Sequence, residues 1–356
     1  MEEGPRHENG LEGADEYFTS YEDLDIHRIM LTDKRRNEAY RRAIESNRDR
    51  IEGKTVLDVG AGTGFLSILC AKAGARKVFA VEASSGMIPL LRESCRANDV
   101  ENVVAVVEGN VETVDLPEER VDVIVSEWMG FHLLHEGMLS SVIKARDRFL
   151  RDGGTMVPDV GRIRACLCKV PSLFEFWDDV DGVNLSHVGT AYRTKFQTEP
   201  AILALESDDR LTPYVTLVEF DLKRVQDAEL AEISKEIVSV PKEACLAQGL
   251  CLSFEVELFG VVFSTGPDHP ETHWKQSVLV FPSPLDMEAG EAAELKVTLA
   301  RTENPRRYAI QLSILEENEI EHPLGCECML PRCRIINAYM QNSDQIEEGA
   351  EIIDIT

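Results

Sequence analysis

The chain has 356 residues, enough for two domains or for one large core with a second module. No apolar run approaches the roughly 20 residues needed to cross a bilayer as a helix. Lys and Arg number 37 against 64 Asp and Glu, a formal charge of −27. Such a field repels nucleic acid and anionic lipid and steers cations, although solubility alone accounts for it equally well at this point.

Residues 1–16 are acidic and Gly-containing, unlike a secretory signal, and read as a disordered lead. From about Tyr17 to Tyr40 the periodicity predicts an amphipathic helix, with the DKRR at 33–36 read as a solvated basic face rather than a nuclear localisation patch. Strand, helix, strand and helix then follow as KTVLDVG, FLSILCAKAGA, KVFAVEA and MIPLLRESCRAND, with VVAVVEG and VDVIVSE as further strands. Alternation at these lengths predicts a doubly wound α/β domain with a parallel sheet and crossover helices.

After RDGGTMVPD the pattern changes. RIRACLCKV, YVTLVEFDL, LCLSFEVELFGVVFS, QSVLVF, AELKVTLA and YAIQLSIL read as strands with turn-like separations, a mostly antiparallel β module. The expected boundaries are 17–156 for the first domain and 157–356 for the second, with an inserted arm at about 172–195. Nine cysteines in a long chain point to reduced thiols inside a cell. Cys166 and Cys168, two apart on a strand, face one side and read as packing residues. His322, Cys326, Cys328 and Cys333 have the residue types of a zinc site, but C-x-C is tighter than the usual spacing, and unliganded thiols are the preferred reading; no metal is expected.

VLDVGAGTGFLS places Gly60, Gly62 and Gly64 where the first strand turns into its helix. A dinucleotide fingerprint needs small packing at position 65, which is Phe65. Asp58 just before the glycines is unwelcome to a pyrophosphate and welcome to an ammonium. Glu82, ending the second strand, is placed to accept ribose hydroxyls. A ligand with an ammonium, a ribose and no phosphate is S-adenosylmethionine.

The stretch SEWMGFHLLHEG, 126–137, sets Glu127 and Glu136 among aromatic and aliphatic residues. Unpaired carboxylates avoid such company. With YFTSYEDLDIHRIMLTDKRR (17–36), VLDVGAGTG, VEAS, VETVDLP (111–117) and THWKQ (272–276), it resembles the protein arginine N-methyltransferases across nearly all the chain after residue 16. NPRR at 304–307 adds to the likeness.

That resemblance implies a Rossmann-like S-adenosylmethionine-dependent domain, a β-barrel domain and a helical arm that makes a homodimer. It implies Glu127 and Glu136 as a clamp on the substrate guanidinium, with His273 and Asp33 as the proton-handling pair. In the cofactor site it places His27, Arg36 on the methionine carboxylate, Asp58, the three glycines, Glu82, and Glu112 on the adenine. Met30, Met138, Trp274, Tyr17 and Tyr21 would lie along the substrate. Met30 with THW goes with asymmetric dimethylation, type I, in that family. Phe131 and Gly137 depart from the Tyr and Ser common there. The expected partners are basic, Arg-rich proteins such as histones or Gly-Arg segments, with no nucleic acid or membrane, in nucleus or cytoplasm. The arm departs from the family pattern at Asp181, and the C-terminal residues from about 321 extend past the family core. Two other classes compete: a catalytically weak protein that binds basic partners, and a methyltransferase for a small molecule.

Overall fold

A computed structural model of the chain describes residues 23–315. The expected lead at 1–16, Tyr17, Tyr21 and the extension carrying His322, Cys326, Cys328 and Cys333 lie outside the described residues.

The N-terminal amphipathic pattern forms two helices, α1 (Leu24–Thr32) and α2 (Lys34–Ser46), rather than one. Asp33 breaks them. Its backbone is extended, and its Oδ1 accepts from the Arg36 N–H at 3.0 Å, satisfying a donor that a helix start leaves open. The DKRR face is also not the solvated one expected: Asp33 and Arg36 are buried. Arg35 reaches across to the carbonyls of Ser264 and Pro270, stapling α2 to the second half of the chain.

Next come β1 (Thr55–Val59), α3 (Phe65–Lys72), β2 (Lys77–Glu82), α4 (Met87–Ala97), β3 (Val104–Glu108), β4 (Val121–Val125), α5 (Met138–Phe149) and β5 (Leu150–Val157). The five strands form one sheet in the order β3-β2-β1-β4-β5, each pair parallel. All five residues of β1 are buried, as befits a central parallel strand covered on both faces. Strand order reverses beside β1, which opens a crevice at its C-terminal end. The fifth strand was not evident from sequence because RDGG reads as a turn. Pairing jumps from Val121↔Leu150 to Val123↔Thr155, so those residues are absorbed as a bulge.

The second half contains β6 (Val160–Cys168), α6 (Ser186–Arg193), β7 (Ala201–Leu203), β8 (Val215–Asp221), β9 (Glu232–Ser239), β10 (Cys245–Leu258), β11 (Val261–Ser264), β12 (Gln276–Met287), β13 (Ala293–Arg301) and β14 (Tyr308–Ile314). They pair as two antiparallel sheets, β7-β12-β10-β6-β8 with β11 on β10, and β14-β13-β9. β8 and β9 lie side by side where the sheets meet. Cys166 and Cys168 are fully buried, and Cys166 faces Cys251 across β6 and β10.

One apolar core runs through both halves. Trp128 and Leu133 of the stretch after β4 lie against Gly161 of β6. Buried Arg146 of α5 donates to the carbonyls of Leu222 at 2.9 Å and Val225 at 2.7 Å, pinning α5 to the β half. The segment between β6 and β7 forms a short turn of helix at Glu175–Trp177, a turn with Asp181 at φ 52°, and α6. It exposes Phe176, Val183, Val188 and Tyr192.

Candidate active site

The C-terminal ends of β1 and β2 open on a cavity of about 380 Å³. Gly60 and Gly62 line its floor and have φ of 72° and 53°, so the chain turns tightly and its backbone is open to a ligand. Gly64 does not line the cavity. Its φ is 89°, and a Cβ there would meet the Leu91 methyl at 2.6 Å, so this glycine serves the turn into α3 and its packing on α4.

Asp58 lies at the back of the cavity and is 1 % exposed. Its Oδ2 accepts from the Ser67 hydroxyl at 2.6 Å, while Oδ1 is buried with no partner among the described residues. Burial pushes its carboxyl up to about 7; the Ser67 hydrogen bond opposes this and nearby Glu82 adds to it. A carboxylate held at such cost is suited to receive a cation. Glu82 accepts the Gly62 N–H and the Ser84 N–H, each at 2.7 Å, one on each oxygen. Both bonds orient it, and each oxygen retains a second acceptor direction.

Glu112 follows the lining residues Asn110 and Val111, and its Oε1 accepts from Ser141, which also lines the cavity, at 3.1 Å and from Lys144 at 3.0 Å. Burial raises its carboxyl, but those bonds win and hold it below the usual range. His27 of α1 is buried on the cavity wall, with its ring beside Gly62.

The stretch after β4 shapes the other end. Trp128, Met129, Leu133 and Leu134 are buried in the core, while Glu127 and Glu136 line the cavity. Glu127 is not waiting unpaired. Arg36 donates to its Oε2 from Nε at 2.9 Å and from Nη2 at 2.8 Å. Tyr40, fully buried, anchors the start of the stretch by donating to the Ser126 carbonyl at 2.9 Å. Glu136 has φ of 76°, and its N–H donates to the carbonyl of Arg306, which also lines the cavity.

Met30, Met138, Phe131, His273 and Trp274 complete the wall. Trp274 Nε1 donates to the Met129 carbonyl at 2.8 Å, and its ring packs edge-on against Phe254 at 5.2 Å. The His273 and Trp274 ring centroids lie 3.8 Å apart, with the rings tilted by 38°. Its Nδ1 and its backbone N–H both meet Asp33 Oδ2, at 2.8 and 3.0 Å. Burial alone would raise the Asp33 carboxyl; the His273 and Arg36 hydrogen bonds outweigh it and hold the carboxyl below its ordinary value. An ionised Asp33 orients the imidazole through Nδ1. Asp33 itself sits behind His273, outside the lining.

Residues from α1, α2, the β1–α3 turn, the stretch after β4 and the β half thus converge on one cavity. Three further residues were not singled out in the sequence for this site. Ser67 and Tyr40 carry no local motif. Arg306 lies in NPRR, noted in the sequence only for its likeness to the family, and its partner Glu136 is 170 positions away.

The residues fit S-adenosylmethionine: a buried, half-satisfied carboxylate for an ammonium, an oriented one for a diol, and an open glycine turn between them. Fold and site therefore define an S-adenosylmethionine-dependent methyltransferase. Family profiles agree, one described as a methyltransferase domain over residues 56–154 and one as an arginine methyltransferase oligomerization subdomain over residues 166–317. The chain is 36 % identical to a probable protein arginine N-methyltransferase 6.1 of Oryza sativa subsp. indica, over 83 % of this chain and 86 % of the relative. It is 37 % identical to protein arginine N-methyltransferase 6 of Danio rerio, over 86 % and 90 %. The structure of a Trypanosoma brucei PRMT1 enzyme–prozyme heterotetrameric complex with AdoHcy matches with a TM-score of 0.75 and 34 % identity, covering 85 % of this chain and 97 % of that one. The chain belongs to the protein arginine N-methyltransferase family.

Proposed function

We propose that this methyltransferase converts arginine in basic, Arg-rich proteins to omega-monomethyl and then asymmetric dimethylarginine. The observation that carries the reading is the placing of Glu127 and Glu136 on one cavity wall with Met30, Met138 and His273. Bound S-adenosylmethionine supplies an electrophilic methyl. A guanidinium is a planar, delocalised and fully protonated fork, so its nitrogen attacks only when the fork is held and its electrons drawn to one terminus. Two carboxylates do this through charge-assisted hydrogen bonds, and their fixed charge stabilises the cation as it localises. His273, oriented by Asp33, takes the proton at Nε2 as or after the nitrogen is methylated, since a guanidinium pKa lies above 12.

The flexible thioethers of Met30 and Met138 leave room for a nitrogen that already carries a methyl. A net charge of −27 supports basic substrates such as histone tails or Gly-Arg segments. The exposed apolar side chains Phe176, Val183, Val188 and Tyr192 support pairing of two copies through the segment between β6 and β7. Light scattering of the purified chain checks that state. The reading also places the enzyme in nucleus or cytoplasm, which fluorescence of a tagged chain checks.

The deciding test incubates the protein with methyl-labelled cofactor and an Arg-rich peptide, then hydrolyses and separates the methylarginines. Label in asymmetric dimethylarginine is expected. Symmetric product overturns the type assignment, and no label in arginine overturns the reading.

A further inference from the structure

Glu136 occupies a backbone conformation that a residue with a side chain rarely adopts, at φ 76°, and Gly137 beside it has φ 65°. A carboxylate meant to hold a planar fork needs its backbone fixed, and such a conformation persists only where surrounding contacts impose it. Those contacts come from the other half of the chain. The β13–β14 hairpin carries Asn304, Pro305, Arg306 and Arg307 at its tip. The tip is tied to itself: Arg307 N–H meets the Asn304 carbonyl at 3.0 Å, Arg306 N–H meets Asn304 Oδ1 at 3.0 Å, and Thr302 N–H meets the Arg307 carbonyl at 2.9 Å.

The tip then grips Glu136 in both directions. Glu136 N–H donates to the Arg306 carbonyl at 2.7 Å, and Arg306 Nη1 donates to the Glu136 carbonyl at 2.9 Å. Contact is so close that a Cβ on Gly137 would stand 2.6 Å from the Pro305 carbonyl oxygen. This accounts for glycine at a position where the resembling family commonly has serine. The hairpin root is anchored as well. Arg301 of β13 pairs with Asp227 at 3.1 Å and donates to Ser140 Oγ of α5 at 3.3 Å, and the Tyr308 hydroxyl donates to the Leu230 carbonyl at 2.9 Å.

We infer that Arg306 is a positioning residue for the transfer: from the β13–β14 hairpin it sets the backbone of Glu136, and through it the carboxylate that orients the substrate guanidinium. The inference rests on Glu136 acting as that clamp. It gives the β half a second part in the reaction, beside that of His273.

The test uses the full chain and compares the parent with Arg306→Ala, Arg306→Lys and Asn304→Ala. Misplacing a reacting group by about an ångström costs on the order of 100-fold in rate, so Arg306→Ala is expected to lose about that in kcat. Affinity for S-adenosylhomocysteine, by calorimetry, should stay within about threefold, because the Asp58 and Glu82 end is untouched. Arg306→Lys keeps a cationic donor for the Glu136 carbonyl and should recover about tenfold of the loss, which a purely structural role does not predict. Asn304→Ala, which loosens the tip without touching Glu136, should lose a smaller factor in kcat with the same unchanged affinity.

The inference is overturned if Arg306→Ala keeps kcat within about threefold, if cofactor affinity falls in step with kcat, or if Lys does no better than Ala. Should Arg306→Ala fail to fold, an unchanged kcat in both Asn304→Ala and Arg306→Lys overturns it instead. A parent that labels no arginine overturns the proposed function; a parent that labels arginine beside an equally fast Arg306→Ala overturns this inference alone.

Discussion

Arg36 places two guanidinium nitrogens on one oxygen of Glu127, at 2.9 and 2.8 Å, and both side chains are only 8 % exposed. The other oxygen accepts the Met129 N–H at 3.2 Å. A carboxylate that looks misplaced among apolar residues is thus neutralised by an arginine from α2. On the proposed function the same arginine would meet the carboxylate of the cofactor, and one charged pair would then serve both subsites.

Breaking a buried pair by removing one partner strands the other charge. Glu127→Gln is therefore expected to destabilise the free protein by about 3 kcal/mol and to lower kcat by about 100-fold or more. Replacing both partners, Arg36→Met with Glu127→Gln, should restore much of the stability and none of the activity. Urea titration beside the methylation assay separates the two effects, and a single variant as stable as the parent contradicts the pairing.

Asp58 links cofactor binding to pH. Its carboxyl, pushed up mainly by burial to about 7, must be ionised to meet an ammonium. Affinity for S-adenosylhomocysteine should fall about tenfold per pH unit below 7 and level off above it. Because the folded value lies above the unfolded one, ionisation works against folding, by an amount that grows from about pH 4 to pH 7 and reaches the order of 4 kcal/mol. Asp58→Asn should then raise the melting temperature of the free protein at pH 8 more than at pH 5, while weakening the ligand and flattening its pH dependence.

His132 carries the opposite sign. It is buried, its Nδ1 lies 3.3 Å from Ser277 Oγ, and its Nε2 has no partner among the described residues. Burial, with a smaller contribution from His135, pushes it down to about 3. The unfolded chain takes up this proton near pH 6.5 and the folded one does not, so stability is lost as pH falls from about 6.5 toward 3. Between pH 7 and 4.5 the loss from this residue should be about 3 kcal/mol. His132→Leu should lose less stability over that interval than the parent, measured by denaturant midpoints.

Asp33 joins the start of α2 to His273. Asp33→Ala removes the cap, worth about 1 kcal/mol, and frees the imidazole. Amide exchange in the first turn of α2 should quicken and kcat should fall about 100-fold. Its carboxyl lies below the ordinary value, so its stabilisation is present above about pH 4 and is lost as pH falls through the folded value. Exchange at α2 that is unchanged in the variant speaks against this coupling.

Much of the cofactor end was readable in the chain. Asp58 lies near the end of β1, Gly60 and Gly62 in the turn that follows it, and Glu82 ends the neighbouring strand, so four residues close together at the ends of two adjacent strands carry the signal. Local sequence also marked Glu127 and Glu136, because charge among apolar residues is costly and calls for a purpose. Other features were misread for definite reasons. The helix broke at Asp33 because a cap bond and His273 together outweighed an unbroken periodicity. RDGG became part of β5 because a bulge tolerates residues that a regular strand does not.

What the chain alone determined, then, was chemistry encoded over short distances: alternating period, glycines at a strand end, carboxylates beside apolar side chains. Tertiary structure decided which charges meet. The Arg36–Glu127, Asp33–His273 and Arg306–Glu136 contacts span 91, 240 and 170 positions. Periodicity and propensity act over a few residues, whereas these pairs are selected by the burial of a shared core, which no single segment can specify.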